Sequence, residues 1–394
     1  MDPDSRRYID DEDLGAGVEL TERRYRVRSY RSDDNELSPA SDICNGRRVF
    51  ETEDVRVFYG VEGLDDCPDI DDDGRTREVC LPDDQDRGGN NRYARRAGEA
   101  AQDSIDALGR LGFATSPADH PKSGMDKLPF AVNWCDGGGC ANSWEHIFTV
   151  APKMLEEPSL SGTGDPDAWV VTLHEVFHLQ QYQYDDYLDD PASKWIKEGQ
   201  ARSIQDKICL GADRSNCQDF DDVTTGAADY IAEIGEYMAR PEQSIIRASY
   251  NAVLFWTYLV EKYGTAPDDD VEGGMNMLVK FWEQADTPPA RDGIAIINDA
   301  LAELGHSETF RDVWRDFAVA NYAKDFDGTP EQEARYHYED MAQDGGSYAR
   351  VKIENDGSKV LGLTDQIVLP GEYLPDWGAR YYEVLPEPDV PVID

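Results

Sequence analysis

Two histidines four residues apart are the residues of this chain best suited to chemistry. His174 and His178 enclose Glu175 in the run Leu173-His-Glu-Val-Phe-His178. On a helix, residues at i and i+4 share one face, so both imidazoles can direct a nitrogen toward one metal ion. In hydrolytic enzymes such a pair binds zinc, and the intervening glutamate lies beside the open coordination position. The spacing therefore predicts a helix that carries hydrolytic zinc chemistry.

A third ligand is expected on a second helix. Two imidazoles leave a hydrolytic zinc site one protein ligand short, and the usual completion is a third histidine or a carboxylate. Glu198 meets this need within Trp195-Ile-Lys-Glu198-Gly199-Gln-Ala201, twenty residues after His178 and inside a helical pattern between residues 190 and 211. Gly199 would let the two helices approach closely. A lone HExxH run is a weak signal, but the added WxxEGxA run favours a zinc site.

Together these residues resemble the gluzincin metallopeptidases, in which a glutamate on a following helix is the third ligand. More narrowly, the chain is similar to a group of secreted microbial metalloproteases over residues 47–345. The resemblance implies a zincin-like fold, one bound Zn²⁺ and peptide-bond hydrolysis. The other matching segments, in chain order, are Val55-Arg-Val-Phe-Tyr-Gly60, Asp69-Ile-Asp71-Asp-Asp73-Gly74, Leu111-Gly112-Phe113 and Phe255-Trp256-Thr-Tyr258-Leu259-Val-Glu-Lys-Tyr263-Gly264.

The expected fold class is α+β, with a mixed sheet in front of the zinc-site helix. We expect a tail over 1–46, a metallopeptidase domain over 47–345 that becomes mainly helical from residue 219, and a small β-rich segment over 346–394. The sheet's edge strand would be the natural place for an extended peptide to add. Predicted strands are Arg48–Glu51, Val55–Tyr59, Leu128–Trp134 and His146–Val150, then Tyr348–Ile353, Gln366–Leu369 and Tyr381–Val384 in the last fifty residues. Predicted helices besides those of the zinc site are Tyr93–Leu111, Ile245–Tyr263, Met275–Gln284, Ile294–Leu304 and Phe310–Asn321.

Two residues are candidates for catalytic roles. Glu175 would take a proton from the attacking water and pass it to the leaving amine. Tyr250 is a candidate donor to the oxyanion, because a phenol can donate a hydrogen bond while its ring packs. The alternative for Tyr250 is a core aromatic of the helix that contains Phe255.

A second metal is a further expectation. Asp69, Asp71 and Asp73, followed by Gly74, copy the opening of a calcium loop, with oxygen ligands at alternate positions and a glycine for the turn. The twelfth position is Cys80 where an EF-hand has a bidentate glutamate, so the segment is not a true EF-hand. The two interpretations of this segment are a Ca²⁺ site and a solvated acidic loop.

Charge limits the partners of the chain. The 394 residues carry a formal net charge of −43, and arginine outnumbers lysine 27 to 11. Such charge repels nucleic acid and anionic membranes. Its spread along the whole chain favours a halophilic protein that is stabilised by salt, against the alternative of a mesophilic protein with an acidic tail. No run of apolar residues is long enough to span a membrane.

The cysteines indicate an oxidising compartment. Six of the seven fall into neighbouring pairs that could form local disulfides. The start of the chain has no apolar signal region, and we expect export with the signal absent from this sequence. The pairs are Cys67 with Cys80, Cys135 with Cys140, and Cys209 with Cys217, which leaves Cys44 over.

Three functions are compatible with these motifs. The favoured one is a secreted zinc endopeptidase that acts on proteins or peptides. The second is a gluzincin aminopeptidase, although the GxMEN segment that holds a free amine in those enzymes does not occur before His174. The third is a non-catalytic surface or binding protein on a peptidase scaffold, which the intact set of zinc-site residues disfavours.

Overall fold

The chain divides into two compact units. The first comprises Met1–Tyr187, Ile204–Ala227 and Ala285–Ala290, and the second comprises Leu188–Ser203, Ala228–Gln284 and Arg291–Asp394. The structure is a computed structural model. It describes residues 27–29, 47–61, 80–83, 85, 91–113, 127–132, 139–142, 147–155, 168–184, 188, 193–205, 207–208, 226–265, 273–324, 327–338, 348–353 and 376–381.

A mixed sheet forms the centre of the first unit. The six strands among the described residues lie in the order β1-β2-β3-β4-β6-β5. The inner pairs β3-β4 and β4-β6 are parallel, whereas β1-β2, β2-β3 and β5-β6 are antiparallel. Every residue of β3 and β4 is buried, which is typical of strands that are covered on both faces. The strands are β1 Val27–Ser29, β2 Arg48–Glu51, β3 Val55–Tyr59, β4 Leu128–Val132, β5 Gly139–Asn142 and β6 Ile147–Val150.

Two helices of the first unit pack against this sheet. Helix α1, Arg92–Arg110, begins at Asn91, whose side chain accepts hydrogen bonds from the backbone N–H groups of Tyr93 and Ala94. Its alanine-rich face is buried, and a Cβ at Gly98 would lie 2.7 Å from the ring of Phe50 in β2. Helix α2, Ala168–Tyr184, carries the HExxH run and packs on α1, β5 and β6. The small residues of α1 therefore let a helix lie close to the sheet.

The second unit is helical in its described part. Helix α3, Lys194–Gln205, begins in this unit, but its last two residues belong to the first. Trp195, Phe255, Trp256, Phe310 and Phe317 are almost fully buried in this unit and form an aromatic core. The remaining helices are α4 Gly226–Ala239, α5 Val253–Tyr263, α6 Asn276–Ala285, α7 Gly293–Glu303, α8 Phe310–Ala323 and α9 Pro330–Tyr336.

The α+β class with a mixed sheet is confirmed, and several predicted elements change. Val27–Ser29, within the segment expected to be a tail, forms β1, and β5 was not predicted at all. The predicted continuous helix Ile245–Tyr263 is wrong, because two 3₁₀ turns, Ile245–Arg247 and Tyr250–Ala252, precede α5. Residues 348–353 form no strand, and Ile353 makes an isolated bridge with Tyr381.

Of the other predicted C-terminal strands, Gln366–Leu369 and residues 382–384 lie outside the described residues. No helix in the described part of the chain is long and apolar enough to cross a membrane.

Candidate metal centre

The two histidines of the HExxH run converge on one point. The Nε2 atoms of His174 and His178 are 3.0 Å apart, and their rings are nearly perpendicular, with an interplanar angle of 88°. Both side chains are buried. This convergence follows from the four-residue spacing on α2, as the sequence predicts.

Glu198 completes a group of three possible ligands. One ligand atom from each of His174, His178 and Glu198 lies within 4.8 Å of the other two. Glu198 is half-buried on α3. Its neighbour Gly199 was predicted to let α2 and α3 approach closely, but it instead faces α5 and the residue before it. An added Cβ would lie 2.7 Å from Cδ1 of Trp256 and 2.9 Å from Cβ of Ala252. A larger residue at 199 would thus displace the helix that carries Glu198.

The donor set fits zinc. Zinc in hydrolytic sites takes neutral imidazole nitrogens and a carboxylate oxygen at about 2.0–2.2 Å, in tetrahedral geometry with one position left for water. Two nitrogens on such an ion are about 3.3 Å apart, close to the observed 3.0 Å between the Nε2 atoms. Among the described residues, these three form the one group of histidine, cysteine or acidic side chains whose ligand atoms lie close enough together to hold a metal ion.

The second ring nitrogen of each histidine, Nδ1, contacts the side-chain oxygen of a glutamine. Nδ1 of His174 lies 3.1 Å from Oε1 of Gln205, at the end of α3. Nδ1 of His178 lies 2.8 Å from Oε1 of Gln181, one turn further along α2. Both glutamines are buried, at 2% and 0% exposure. These two glutamine partners were not predicted from the sequence, because an amide side chain in a helix can have many other hydrogen-bond partners.

Glu175 lies against the edge strand of the sheet. The glutamate is buried, and a Cβ built on Gly139 in β5 would lie 2.5 Å from its Oε1 and 2.9 Å from its Cγ. The same Cβ would lie 2.7 Å from Cγ1 of Val171, one turn before Glu175 on α2. Residue 139 must therefore lack a side chain for the glutamate to keep this position. Sequence reasoning missed Gly139 because a glycine gives no signal of what faces it.

Tyr250 is on the surface of the second unit. It opens a 3₁₀ turn and is 38% exposed, so it is not a core aromatic. The guanidinium of Arg202 lies over its ring, with Cζ 5.2 Å from the ring centroid. Arg202 also donates two hydrogen bonds of 3.1 Å to the carboxylate of Glu233. Because Arg202 is four residues after Glu198 on α3, the stacked tyrosine lies on the helix face that carries the third ligand.

Other predicted residues are only partly described. Asp69, Asp71 and Asp73 lie outside the described residues. Cys80 and Cys140 are both disulfide-bonded, and the other five cysteines fall outside the described part.

Comparisons with known proteins add no family. Neither the protein-family models nor the curated proteins include a match to this chain.

Proposed function

We propose that this protein is a zinc-dependent hydrolase of peptide bonds. The observation that carries the proposal is the convergence of His174, His178 and Glu198, with Glu175 buried next to the first ligand. Two imidazoles and one carboxylate, with a second glutamate adjacent, are typical of hydrolytic zinc sites rather than of structural ones, which use four protein ligands. Membership of the gluzincin metallopeptidases, on the motifs above, is part of the same proposal.

The metal would be held by His174, His178 and Glu198. When bound, zinc supplies a Lewis acid that makes water nucleophilic near neutral pH and polarises a carbonyl. Glu175 would take a proton from the attacking water at its carboxylate and deliver it to the nitrogen of the leaving amine. Its position is set from two sides, by the backbone of α2 and by the bare backbone of Gly139.

Tyr250 is proposed as the donor to the oxyanion. Its ring is held by the Arg202 guanidinium, which Glu233 fixes through two hydrogen bonds. A donor that is already oriented needs no reorganisation when negative charge develops on the substrate oxygen. The partial exposure of the tyrosine leaves it accessible to a substrate.

The proposed substrate is an extended peptide cut in its interior. Strand β5 is the last strand of the described sheet, and at Gly139 it is next to Glu175. A peptide that added to this strand would run past the base with its backbone hydrogen-bonded, and nothing in this arrangement requires a free terminus. Export to an oxidising compartment is proposed with it, supported by the disulfide-bonded Cys80 and Cys140.

Metal analysis with a protease assay tests the proposal. The purified protein is expected to hold one zinc per chain and to cut an internally quenched peptide that is blocked at both ends. The assay is run in molar salt, because of the net charge of −43. A chelator should abolish cleavage, and added zinc should restore it.

Two other results would contradict the proposed endopeptidase activity. Release of single residues from free peptides, with no cleavage of blocked ones, would indicate an aminopeptidase. A zinc-loaded protein that is inert toward both substrates would indicate a non-catalytic scaffold.

A further inference from the structure

We propose that Gln205 and Gln181 are positioning residues that determine which nitrogen of each histidine faces the metal. The inference rests on the proposed zinc site and goes beyond it, because it assigns a role to two buried amides outside the set of proposed ligands. Each glutamine would act through one histidine: its oxygen accepts a hydrogen bond from Nδ1–H, so that the lone pair of the ring lies on Nε2.

The orientation of the Gln205 amide is determined by the backbone. Its Nε2 donates a 2.7 Å hydrogen bond to the carbonyl oxygen of Val170. An amide nitrogen donates and a carbonyl oxygen only accepts, so the two ends of the amide cannot be exchanged. Oε1 must then face Nδ1 of His174, at 3.1 Å, and this nitrogen must carry the hydrogen. The Nε2 atom of His174 is left as the acceptor.

Gln181 does the same for His178 from within α2. It lies three residues after the histidine, where side chains on a helix meet, and its Oε1 is 2.8 Å from Nδ1. The amide is fully buried, so water does not compete for this contact. With both Nδ1 atoms donating, two lone pairs on Nε2 face each other across 3.0 Å. Two such lone pairs repel unless a cation lies between them, which is the arrangement a metal ion requires.

The choice of amides also limits the charge of the centre. A carboxylate is a common partner of metal-bound histidine and increases its basicity. This chain has 81 aspartates and glutamates, yet both described partners are neutral. An amide oxygen orients the ring without adding negative charge, so Glu198 supplies the formal charge of the ligand set. A less negative ligand set leaves the metal a stronger Lewis acid.

Three buried glutamines provide a matched experiment. Gln205→Met and Gln181→Met keep the size of the side chain and remove the acceptor. Gln200→Met is the control, because Gln200 is fully buried on α3 and accepts a 2.7 Å hydrogen bond from Nε1 of Trp282 instead of a histidine. The zinc dissociation constant of each folded variant is measured by competition with a chromophoric chelator, and thermal stability is measured on the zinc-free proteins.

The variants at Gln205 and Gln181 should differ from the control variant at Gln200 in zinc affinity, and stability should not distinguish them. Gln205→Met and Gln181→Met are each expected to weaken zinc binding about 10–100-fold. Gln200→Met is expected to lose stability and keep the zinc affinity of the parent. Affinities within threefold of the parent for both histidine-partner variants, or an equal loss in Gln200→Met, would overturn the inference. A parent chain that binds no zinc would instead overturn the proposed function.

A charged variant and a spectrum complete the test. Gln181→Glu keeps the acceptor and adds negative charge, so zinc should bind at least as tightly as in the parent, which a purely structural role would not produce. In the zinc-free parent, long-range ¹⁵N–¹H spectra should show His174 and His178 with a hydrogen on Nδ1. A neutral Nε2–H form of either ring would contradict the assignment even if every variant failed to fold.

Discussion

The interior around the candidate metal centre and the aromatic core of the second unit are built from different groups. On α2, His174, His178 and Gln181 are buried polar side chains. Hydrogen-bond contacts join the two histidines to each other, His178 to Gln181, and His174 to Gln205. In the second unit, Phe317 and its neighbours are buried rings in edge or tilted contact.

Burying polar groups is costly unless each is paired, whereas burying rings is favourable in itself. We therefore expect changes at the metal centre to alter binding and turnover, and changes in the aromatic core to alter stability. Four predictions test this separation.

The largest effect is expected at Glu175. Glu175→Gln keeps the shape of the side chain and removes its ability to take a proton, so turnover should fall at least about 10²–10⁴-fold while zinc stays bound. Steady-state kinetics and metal analysis check both parts. The control is Thr172→Val on the same helix, where the buried hydroxyl has no hydrogen-bond partner and the change should leave turnover unaltered. Loss of zinc from Glu175→Gln would make this residue part of the binding set instead.

The aromatic core should respond in the opposite way. Phe317 packs against Phe255, Tyr237 and Tyr258, and Phe317→Ala removes a fully buried ring. The expected loss is about 3–5 kcal/mol of unfolding free energy, with the zinc affinity of the folded protein unchanged. Denaturant unfolding in molar salt measures the loss. Val319→Ala on the same helix is the control, since that side chain is 42% exposed and should cost little.

A change at Gly139 should lower activity without removing the metal. In Gly139→Ala the new Cβ would meet Oε1 of Glu175 at 2.5 Å, so the carboxylate has to move. A displacement of about 1 Å in a catalytic group can lower turnover about 10²-fold. Gly109→Ala in α1, where the added Cβ meets nothing within 4 Å, should leave turnover unchanged. If both alanine variants retain full activity, Gly139 has no part in positioning the base.

The smallest effect is expected at Tyr237. Burial, and then the nearby Tyr381, raises the pKa of the Tyr237 phenol well above its ordinary value. Stability from this group is complete below pH about 10 and is lost above it, at about 1.4 kcal/mol per pH unit, because the unfolded chain ionises first.

Replacing this phenol isolates its share of the alkaline loss. The Tyr237 hydroxyl has no hydrogen-bond partner, so Tyr237→Phe should change stability at pH 7 by no more than about 1 kcal/mol. Unfolding measured between pH 8 and 12 should then show a shallower decline than in the parent. A steeper decline would contradict the raised pKa.

Sequence reasoning succeeded where structure is local. Strands β2 and β3 have the predicted bounds, and α1, α6, α7 and α8 agree within one or two residues. The convergence of His174 and His178 needs only the geometry of one helix, so it could be predicted from their spacing. Glu198 required a second pattern, and its approach to the histidines depends on tertiary packing.

The failures have tertiary causes. Gly-Cys-Ala-Asn has little intrinsic preference for a strand, and β5 exists because it pairs with β6. The predicted helix from Ile245 was interrupted because Ser249 has φ −122° and ψ −113°, which no hydrophobic period encodes. The partners Gln181 and Gln205 also could not be predicted, because a buried amide shows its use only when its neighbours are known.

Helix α3 carries both the third ligand and the partner of the first histidine, seven residues apart. Seven residues are almost two full turns, so Glu198 and Gln205 lie on one face. A single insertion or deletion between them would rotate one by about 100° relative to the other and uncouple them. Glu198 and Gln205 must therefore keep their seven-residue spacing to serve the same site. Genome searches for chains with the same centre can therefore require HExxHxxQ followed by EGx₅Q, a more selective signature than HExxH alone.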